Sequence, residues 1–171
     1  MGTHTSDGLD VQAILDAVRH VVQALRESSR LAERQVGLTG AQLFVLQKLA
    51  ESPALSVNEL AERTHTHQSS VSTVVSRLVD RRLVRRARAA DDARRVRLSL
   101  TARGTQVAGR APDLAQERLI LGIERLPAAR RRELARTLSA LAEAVRPTSR
   151  APVMFFEDAK RSKPRGEKRR A

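Results

Sequence analysis

The 171-residue sequence contains no cysteine, tryptophan or tyrosine and only three phenylalanines. Without cysteine the chain can form no disulfide, thiol redox switch or Cys-ligated zinc site. The shortage of aromatic side chains argues against binding single strands by base stacking. No apolar run approaches the roughly 20 residues that span a bilayer, and residues 1–10 lack a basic start followed by an apolar core. We therefore expect a cytoplasmic protein that does not bind membranes.

Positive charge is what the sequence has in excess. Lysine and arginine number 32 against 19 aspartate and glutamate, which gives a net charge of +13. A chain of this length has room for one good core and indicates a single domain. The charge indicates a polyanionic partner, and the few aromatic residues favour duplex DNA over single-stranded RNA. The alternative is an arginine-rich surface without such a partner, so the motifs must decide.

Apolar residues at helical spacing predict a mainly α chain of six helices with one small β-hairpin. Thr39-x-x-Gln42 and Ser56-x-x-Glu59 are capping boxes, which start the second and third helices. The amides at the start of the third helix, at Ser56, are also a candidate site for a DNA phosphate.

The fourth predicted helix, from Gln68 to about Arg81, has a core face of valines and leucines and an outer face of small hydroxylated residues. Short hydroxyls allow a helix to fit deep in the major groove and to bond base edges, whereas a merely solvated face more often carries Glu and Lys. The glutamine side chain can bond adenine, and Arg77 can reach guanine or a phosphate. The predicted DNA contacts on this helix are Gln68, Ser69, Ser70, Ser72, Thr73, Ser76 and Arg77.

A β-hairpin is predicted directly after this helix. Val96, Leu98 and Leu100 alternate with polar residues, as in a strand with one buried face, and residues 83–89 are its partner. Residues 81–97 contain eight arginines and two aspartates. Such a charge run alone is usually solvated surface, but beside a helix of groove size it predicts a DNA-contacting wing. The candidate contacts on the wing are Arg86, Arg88, Asp92, Arg94 and Arg95.

Five short motifs stand at defined places in these elements: Leu60-Ala61, Ser72 to Leu78, Leu83-Val84-Arg85-Arg86, Asp92-x-Arg94 and Leu100-Thr101-x-x-Gly104. With these motifs, the order of elements over residues 9–146 resembles the multiple antibiotic resistance regulator (MarR) family. The resemblance implies a winged helix-turn-helix in an obligate homodimer that binds a pseudo-palindromic operator, usually as a repressor. It also matches Arg94 to the wing-tip arginine that enters the minor groove, and Asp92 to its acidic partner.

The outer helices carry more apolar surface than one small winged-helix core buries, and this surplus predicts the dimer interface.

The fifth helix is expected to be capped by Thr101 and interrupted near Pro112. Arg82 departs from the family, because it stands where glycine is common, at a cost of roughly 1 kcal/mol in a left-handed conformation. The alternatives are a helix that ends differently and a phosphate contact made by Arg82. The expected layout is a disordered N-terminus (1–8), a MarR-type domain (9–146) with a DNA-binding lobe (39–100) and dimerisation helices (9–34 and 101–146), and a basic, partly disordered tail (147–171).

The expected function is a sequence-specific double-stranded DNA-binding transcription regulator, a repressor released by a small molecule that binds between the dimerisation helices and the lobes. The resemblance implies a small aromatic or phenolic effector, although the low aromatic content also fits a member without one. The alternative is a sequence-tolerant architectural DNA-binding protein without an effector ligand. His65-x-His67 lacks the carboxylate cluster of a metal site, and the sequence has no catalytic triad or glycine-rich phosphate loop. We therefore expect no enzyme activity, metal or cofactor.

Overall fold

The computed structural model describes residues 4–88 and 96–145. Its element order confirms a mainly helical chain with one antiparallel β-hairpin. The helices and strands are α1 His4–Val36, α2 Gly40–Glu51, α3 Val57–Arg63, α4 Gln68–Asp80, β1 Val84–Arg88, β2 Val96–Leu100, α5 Ala102–Gly109, α6 Ala115–Glu124 and α7 Ala128–Ala144.

Two helix boundaries differ from the prediction. Helix α1 begins at His4 rather than at Leu9, so residues 4–8, which we expected to be disordered, are helical; they contain no proline that would stop the helix. The expected fifth helix is two helices, α5 and α6, which makes seven in the described ranges instead of six. The break contains Pro112, whose ring nitrogen cannot donate a helical hydrogen bond.

The predicted helix starts are confirmed. The side chains of Thr39 and Ser56 each accept a hydrogen bond from the third residue of the helix that follows, and each capping box is closed by the reciprocal bond from Gln42 or Glu59. Thr101 caps α5 by accepting a hydrogen bond from the amide of Gly104. These local contacts fix where each helix leaves the preceding loop.

The hydrophobic core lies where α2, α3, α4 and the hairpin meet. Phe44, Leu60, Val74 and Leu98 are fully buried there, one from each of these elements. In the hairpin, Leu98 pairs with Arg86, and its amide also donates to the carbonyl of Leu55 at 2.8 Å. The core therefore holds the hairpin directly beside α4.

Helix α4 ends in a tight left-handed turn. The amide of Leu83 donates to the carbonyl of Leu78, and the amide of Arg82 donates to the carbonyl of Val79, which is the Schellman arrangement. Arg82 has φ of 58°, so of the alternatives left open by the sequence the helix ends in the left-handed conformation. This turn sets the direction in which the chain leaves α4 and enters β1.

A close approach of two backbone segments supports this turn from the other side. The hydroxyl of Thr101 donates to the carbonyl of Arg82 at 2.8 Å, and the Thr101 amide donates to the carbonyl of Leu83 at 3.0 Å. A Cβ added at Gly104 would lie 2.0 Å from the Leu83 carbonyl oxygen. The first turn of α5 can therefore pack against this turn only with glycine at position 104.

None of the helices within residues 4–88 and 96–145 is both long enough and apolar enough to cross a membrane.

Candidate nucleic-acid interface

The outer face of α4 is a surface of small polar side chains. Gln68, Ser69, Thr73 and Ser76 are exposed, whereas Ser72 is half-buried together with Arg77. Val71, Val74 and Val75 are buried in the core, as predicted, and Val79 is partly buried against it. The structure thus brings together six of the seven residues that the sequence predicted as DNA contacts on this helix.

Ser70 is the exception, and its prediction as an outward-facing residue is wrong. Its side chain is 9% exposed. Ser70 precedes Val74 by four positions and Leu78 by eight, and this spacing places it on the buried face of the helix. A hydroxyl in this position cannot reach a base edge while α4 keeps its packing.

Two hydroxyls on the outer face already use their hydrogen atoms within the helix. Thr73 Oγ1 donates to the carbonyl of Ser69 at 3.1 Å, and Ser76 Oγ donates to the carbonyl of Ser72 at 2.9 Å. The lone pairs of Thr73 Oγ1 stay available to accept hydrogen bonds, whereas Ser76 Oγ already accepts one from Arg86. Towards DNA, this face can accept from the exocyclic amino groups of adenine or cytosine in the major groove.

One arginine of the hairpin is attached to α4. Arg86 Nη2 donates to Ser76 Oγ at 3.0 Å. Arg86 is exposed and pairs with the buried Leu98 across the hairpin, so its side chain leaves the hairpin on the α4 side. The helix face and the wing are therefore one continuous polar surface.

The other wing arginines divide into two groups. Arg85 donates to Ser99 Oγ at 2.9 Å, and Arg88 is exposed at the end of β1. Arg97 instead binds inward, because its Nη1 lies 2.9 Å from a carboxylate oxygen of Glu59 and 3.2 Å from the Ala54 carbonyl oxygen. The predicted contacts Asp92, Arg94 and Arg95 lie outside the described residues.

The predicted phosphate contact at Ser56 stays a prediction, and the side chain of Glu59 already binds one amide at this helix start. The Ser56 amide donates to Glu59 Oε2 at 2.6 Å. Hydrogen bonds from Ser56, supported by Arg97, lower the pKa of Glu59 to about 2. A carboxylate that stays charged at neutral pH occupies the start of α3 and repels a phosphate there.

Helix α4 differs from α3 in this respect. Its first turn contains no acidic residue, and the side chain of its N-cap residue, His67, makes no capping hydrogen bond. The first amides of α4 can therefore approach a DNA phosphate.

Nearby, His65 Nε2 lies 3.4 Å from a carboxylate oxygen of Glu124, and the described ranges hold no cluster of three potential metal ligands.

Two arginines with defined partners escaped the sequence reasoning. The sequence shows Arg97 only as part of the charge run. A possible signal for its ion pair is Glu59, which the capping box places at the start of a short helix. Arg81 Nη1 donates to the carbonyl of Gly37 at 2.7 Å. No sequence signal pointed to this contact, because it joins residues 44 positions apart.

The chain is similar to known proteins in sequence and in fold. A sequence profile of the MarR family matches residues 36–95. The chain is 38% identical over 95 residues to the HTH-type transcriptional repressor MdtR of Bacillus subtilis, and the alignment covers 56% of this chain and 59% of the relative. It is 32% identical over 117 residues to an HTH-type transcriptional repressor of Mycobacterium tuberculosis, over 68% of this chain and 84% of the relative.

The chain belongs to the MarR family. As a MarR-family protein it is a DNA-binding regulator and not an enzyme. The regulator BldR of Sulfolobus solfataricus has the same fold, with a TM-score of 0.51 at 22% identity over 85% of this chain and all of that chain. This likeness shows the winged-helix fold alone.

Proposed function

We propose that this MarR-family protein is a sequence-specific repressor that binds a pseudo-palindromic duplex as a homodimer. The observation that carries the proposal is the bond between Arg86 and Ser76, which joins the small polar face of α4 to the arginine-rich wing. One element of this surface has the size to enter a major groove, and the other carries the charge to hold the phosphates beside it.

Specificity is assigned to the exposed part of the α4 face. Gln68 and Ser69 lie on the first turn, where a recognition helix meets the base edges. Thr73 follows one turn later and presents an oxygen acceptor and a methyl group. Arg77 and the wing residues Arg86 and Arg88 supply affinity through phosphates, which position the helix but do not read sequence.

The dimer is inferred from the outer helices. Ile14 and Leu15 on α1 and Leu138 on α7 are 55%, 45% and 47% exposed. Contiguous exposed apolar surface marks an interface, and a two-fold interface places two α4 helices about one DNA turn apart. In sedimentation equilibrium we expect particles of two chains, and of one chain for the Ile14→Glu variant. A wild-type chain that sediments as a monomer would contradict the proposed homodimer.

An effector site is proposed in a cavity of about 560 Å³ between α2, α5 and α6, a volume that suits a small ligand. The cavity is lined by Leu114 and Leu121, the carboxylates of Glu51, Asp113 and Glu117, and the guanidinium of Arg118. Lys48 Nζ pairs with Glu51 at 3.0 Å and with Glu117 at 2.7 Å. Three carboxylates therefore still outnumber two cations, which favours a neutral phenol over the aromatic acids that the resemblance implies. Phenol should raise the melting temperature and release DNA, whereas benzoate should not; the reverse result would contradict this ligand class.

The test of DNA recognition is selection of bound duplexes from a random library with the full chain. We expect a palindrome with half-sites about 10 base pairs apart, bound about a thousandfold or more tightly than random DNA. Diffuse recovery with equal affinities would favour the alternative, an architectural protein that coats DNA by charge.

A variant pair sharpens this test. Thr73→Val removes the acceptor oxygen from the α4 face and should reduce discrimination at one base pair by about 1–3 kcal/mol. The matched control is Thr137→Val on α7, because Thr137 makes the same bond to the carbonyl four residues earlier, at 3.0 Å. Equal behaviour of the two variants on the selected duplex would remove Thr73 from the base contacts.

A further inference from the structure

The last turn of the recognition helix carries an arginine that points away from the predicted DNA contacts. Arg81 is the C-cap residue of α4. Its Nη1 donates to the carbonyl of Gly37 at 2.7 Å and lies 3.4 Å from Gln42 Oε1. The guanidinium therefore binds the short link between α1 and α2 rather than the surface beside the wing.

Both acceptors are at defined helix ends. Gly37 has φ of 69° and donates its amide to Glu33, so it is the residue at which α1 stops. Gln42 is 7% exposed, and its Oε1 also accepts from the amide of Thr39 in the capping box of α2. One arginine thus contacts the end of α1 and the start of α2 at a point where both backbones are fixed.

The Arg81 contact joins α4 to the end of α1. The main packing between these two helices runs through α2, because α1 packs on α2 and α2 packs on α4. Helix α1 carries the exposed apolar residues of the proposed dimer interface, from Leu9 to Val22. Helix α4 carries the proposed base contacts. One nitrogen, Nη1, donates to both acceptors, so the end of α4 is held at a fixed distance from the end of α1 and from the start of α2.

We infer that Arg81 is a positioning residue, which fixes the recognition helix relative to α1 and thereby sets the spacing of the two recognition helices in the dimer. The inference rests on the proposed function, because a spacing matters only for a two-fold operator. Arg81 then contributes to DNA binding through geometry, while its charge makes no phosphate contact. It differs in this from Arg86, which is held on the DNA side of the lobe.

The inference predicts a split between two kinds of duplex. The probes are the palindromic duplex selected by the wild-type chain and a duplex that contains one of its half-sites. Arg81→Ala should bind the palindrome about tenfold or more weakly and the half-site within about twofold of wild type, because the loss affects simultaneous engagement. The salt dependence of half-site binding should stay unchanged, since no phosphate contact is removed.

Two further variants control for charge and folding. Arg82→Gly removes one neighbouring positive charge and should preserve the ratio of palindrome to half-site affinity. Arg81→Lys keeps the charge and one donor but loses the planar fork, so it should lower that ratio by less than alanine does. Thermal melting of each variant shows that the comparison is made on folded protein, and the lysine variant serves as the test if the alanine variant does not fold.

The outcomes separate the inference from the proposed function. Equal losses on palindrome and half-site, or a salt slope lower by about one for Arg81→Ala, would overturn the positioning role and make Arg81 a phosphate contact. A wild-type chain that fails to prefer the selected duplex over random DNA would overturn the proposed function and the inference with it. A wild-type preference with an unchanged ratio in both Arg81 variants would overturn the inference alone.

Discussion

The winged-helix lobe and the outer helices both carry large apolar side chains, but these are buried in the lobe and exposed on the outer helices. In the lobe, Phe44, Leu60 and Leu98 are fully shielded from solvent. On the outer helices, Ile14 of α1 and Leu138 of α7 are 55% and 47% exposed. The core of the lobe is built mostly from its own helices and hairpin, with Ala32 of α1 and Leu114 at the start of α6 added. The exposed apolar faces of α1 and α7, in contrast, are not covered by the described part of the chain.

This difference separates two sources of stability. Burial of apolar surface within one chain stabilises the fold at every protein concentration. Burial between two chains contributes only where the chains associate, so it depends on concentration. Substitutions in the lobe and on the outer helices should respond differently to dilution, and the predictions that follow use this contrast.

The largest effect is expected for Phe44→Ala in the lobe core. Removal of a fully buried ring leaves a cavity and should lower the free energy of unfolding by about 3–5 kcal/mol. Urea denaturation followed by far-UV circular dichroism measures it, because the chain has no tryptophan or tyrosine for fluorescence.

The control for this prediction is Leu138→Ala on α7. Its effect should depend on protein concentration and should fall towards zero on dilution below the dimer dissociation constant. If the two variants lost equal stability in dilute solution, the outer helices would belong to the same self-sufficient core as the lobe.

An intermediate effect is expected at Gly104, where the lobe meets α5. A methyl group there would lie 2.0 Å from the Leu83 carbonyl oxygen. Gly104→Ala should therefore force the backbones apart and cost about 1–3 kcal/mol, the range of overpacked sites.

The matched control is Gly122→Ala in α6, where a Cβ meets no atom within 4 Å. Alanine is the better helix former, so this variant should gain up to about 1 kcal/mol. Thermal melting of both variants and the wild type measures these two changes in stability. A stable Gly104→Ala protein would show that the contact between α5 and the turn at Leu83 is not needed for the lobe.

The features that sequence predicts well are those decided by near neighbours. The capping boxes at Thr39 and Ser56 were correct because each involves residues three positions apart. The hairpin was also correct, although its predicted buried face is incomplete, because Leu98 is buried, Leu100 is half-buried and Val96 is 45% exposed. Helix α4 followed from the spacing of its valines.

The features that the sequence predicts poorly depend on how the helices pack or on which of several possible partners a group binds. Ser70 looks like the other serines of α4, and only the rotation of the packed helix decides that it is buried. At Ser56 the sequence does not rank a phosphate against the Glu59 carboxylate, which the Ser56 amide binds at 2.6 Å, so the DNA contact there stays a prediction. Arg81 shows the same limit, because its acceptors on the α1–α2 link become neighbours only after the lobe has packed.

The smallest effect is expected at Arg82, the left-handed residue that ends α4. Its φ of 58° costs an ordinary side chain roughly 1–2 kcal/mol, and glycine recovers this at the expense of a more flexible unfolded chain. Arg82→Gly should therefore raise the stability of the lobe by about 0.5–1 kcal/mol, which corresponds to a rise in melting temperature of about 1–4 °C. The comparison with Arg82→Ala isolates the cause, because alanine removes the same charge but keeps the strained conformation. An equal gain in both variants would attribute the effect to lower charge repulsion in a chain of net charge +13 rather than to the backbone.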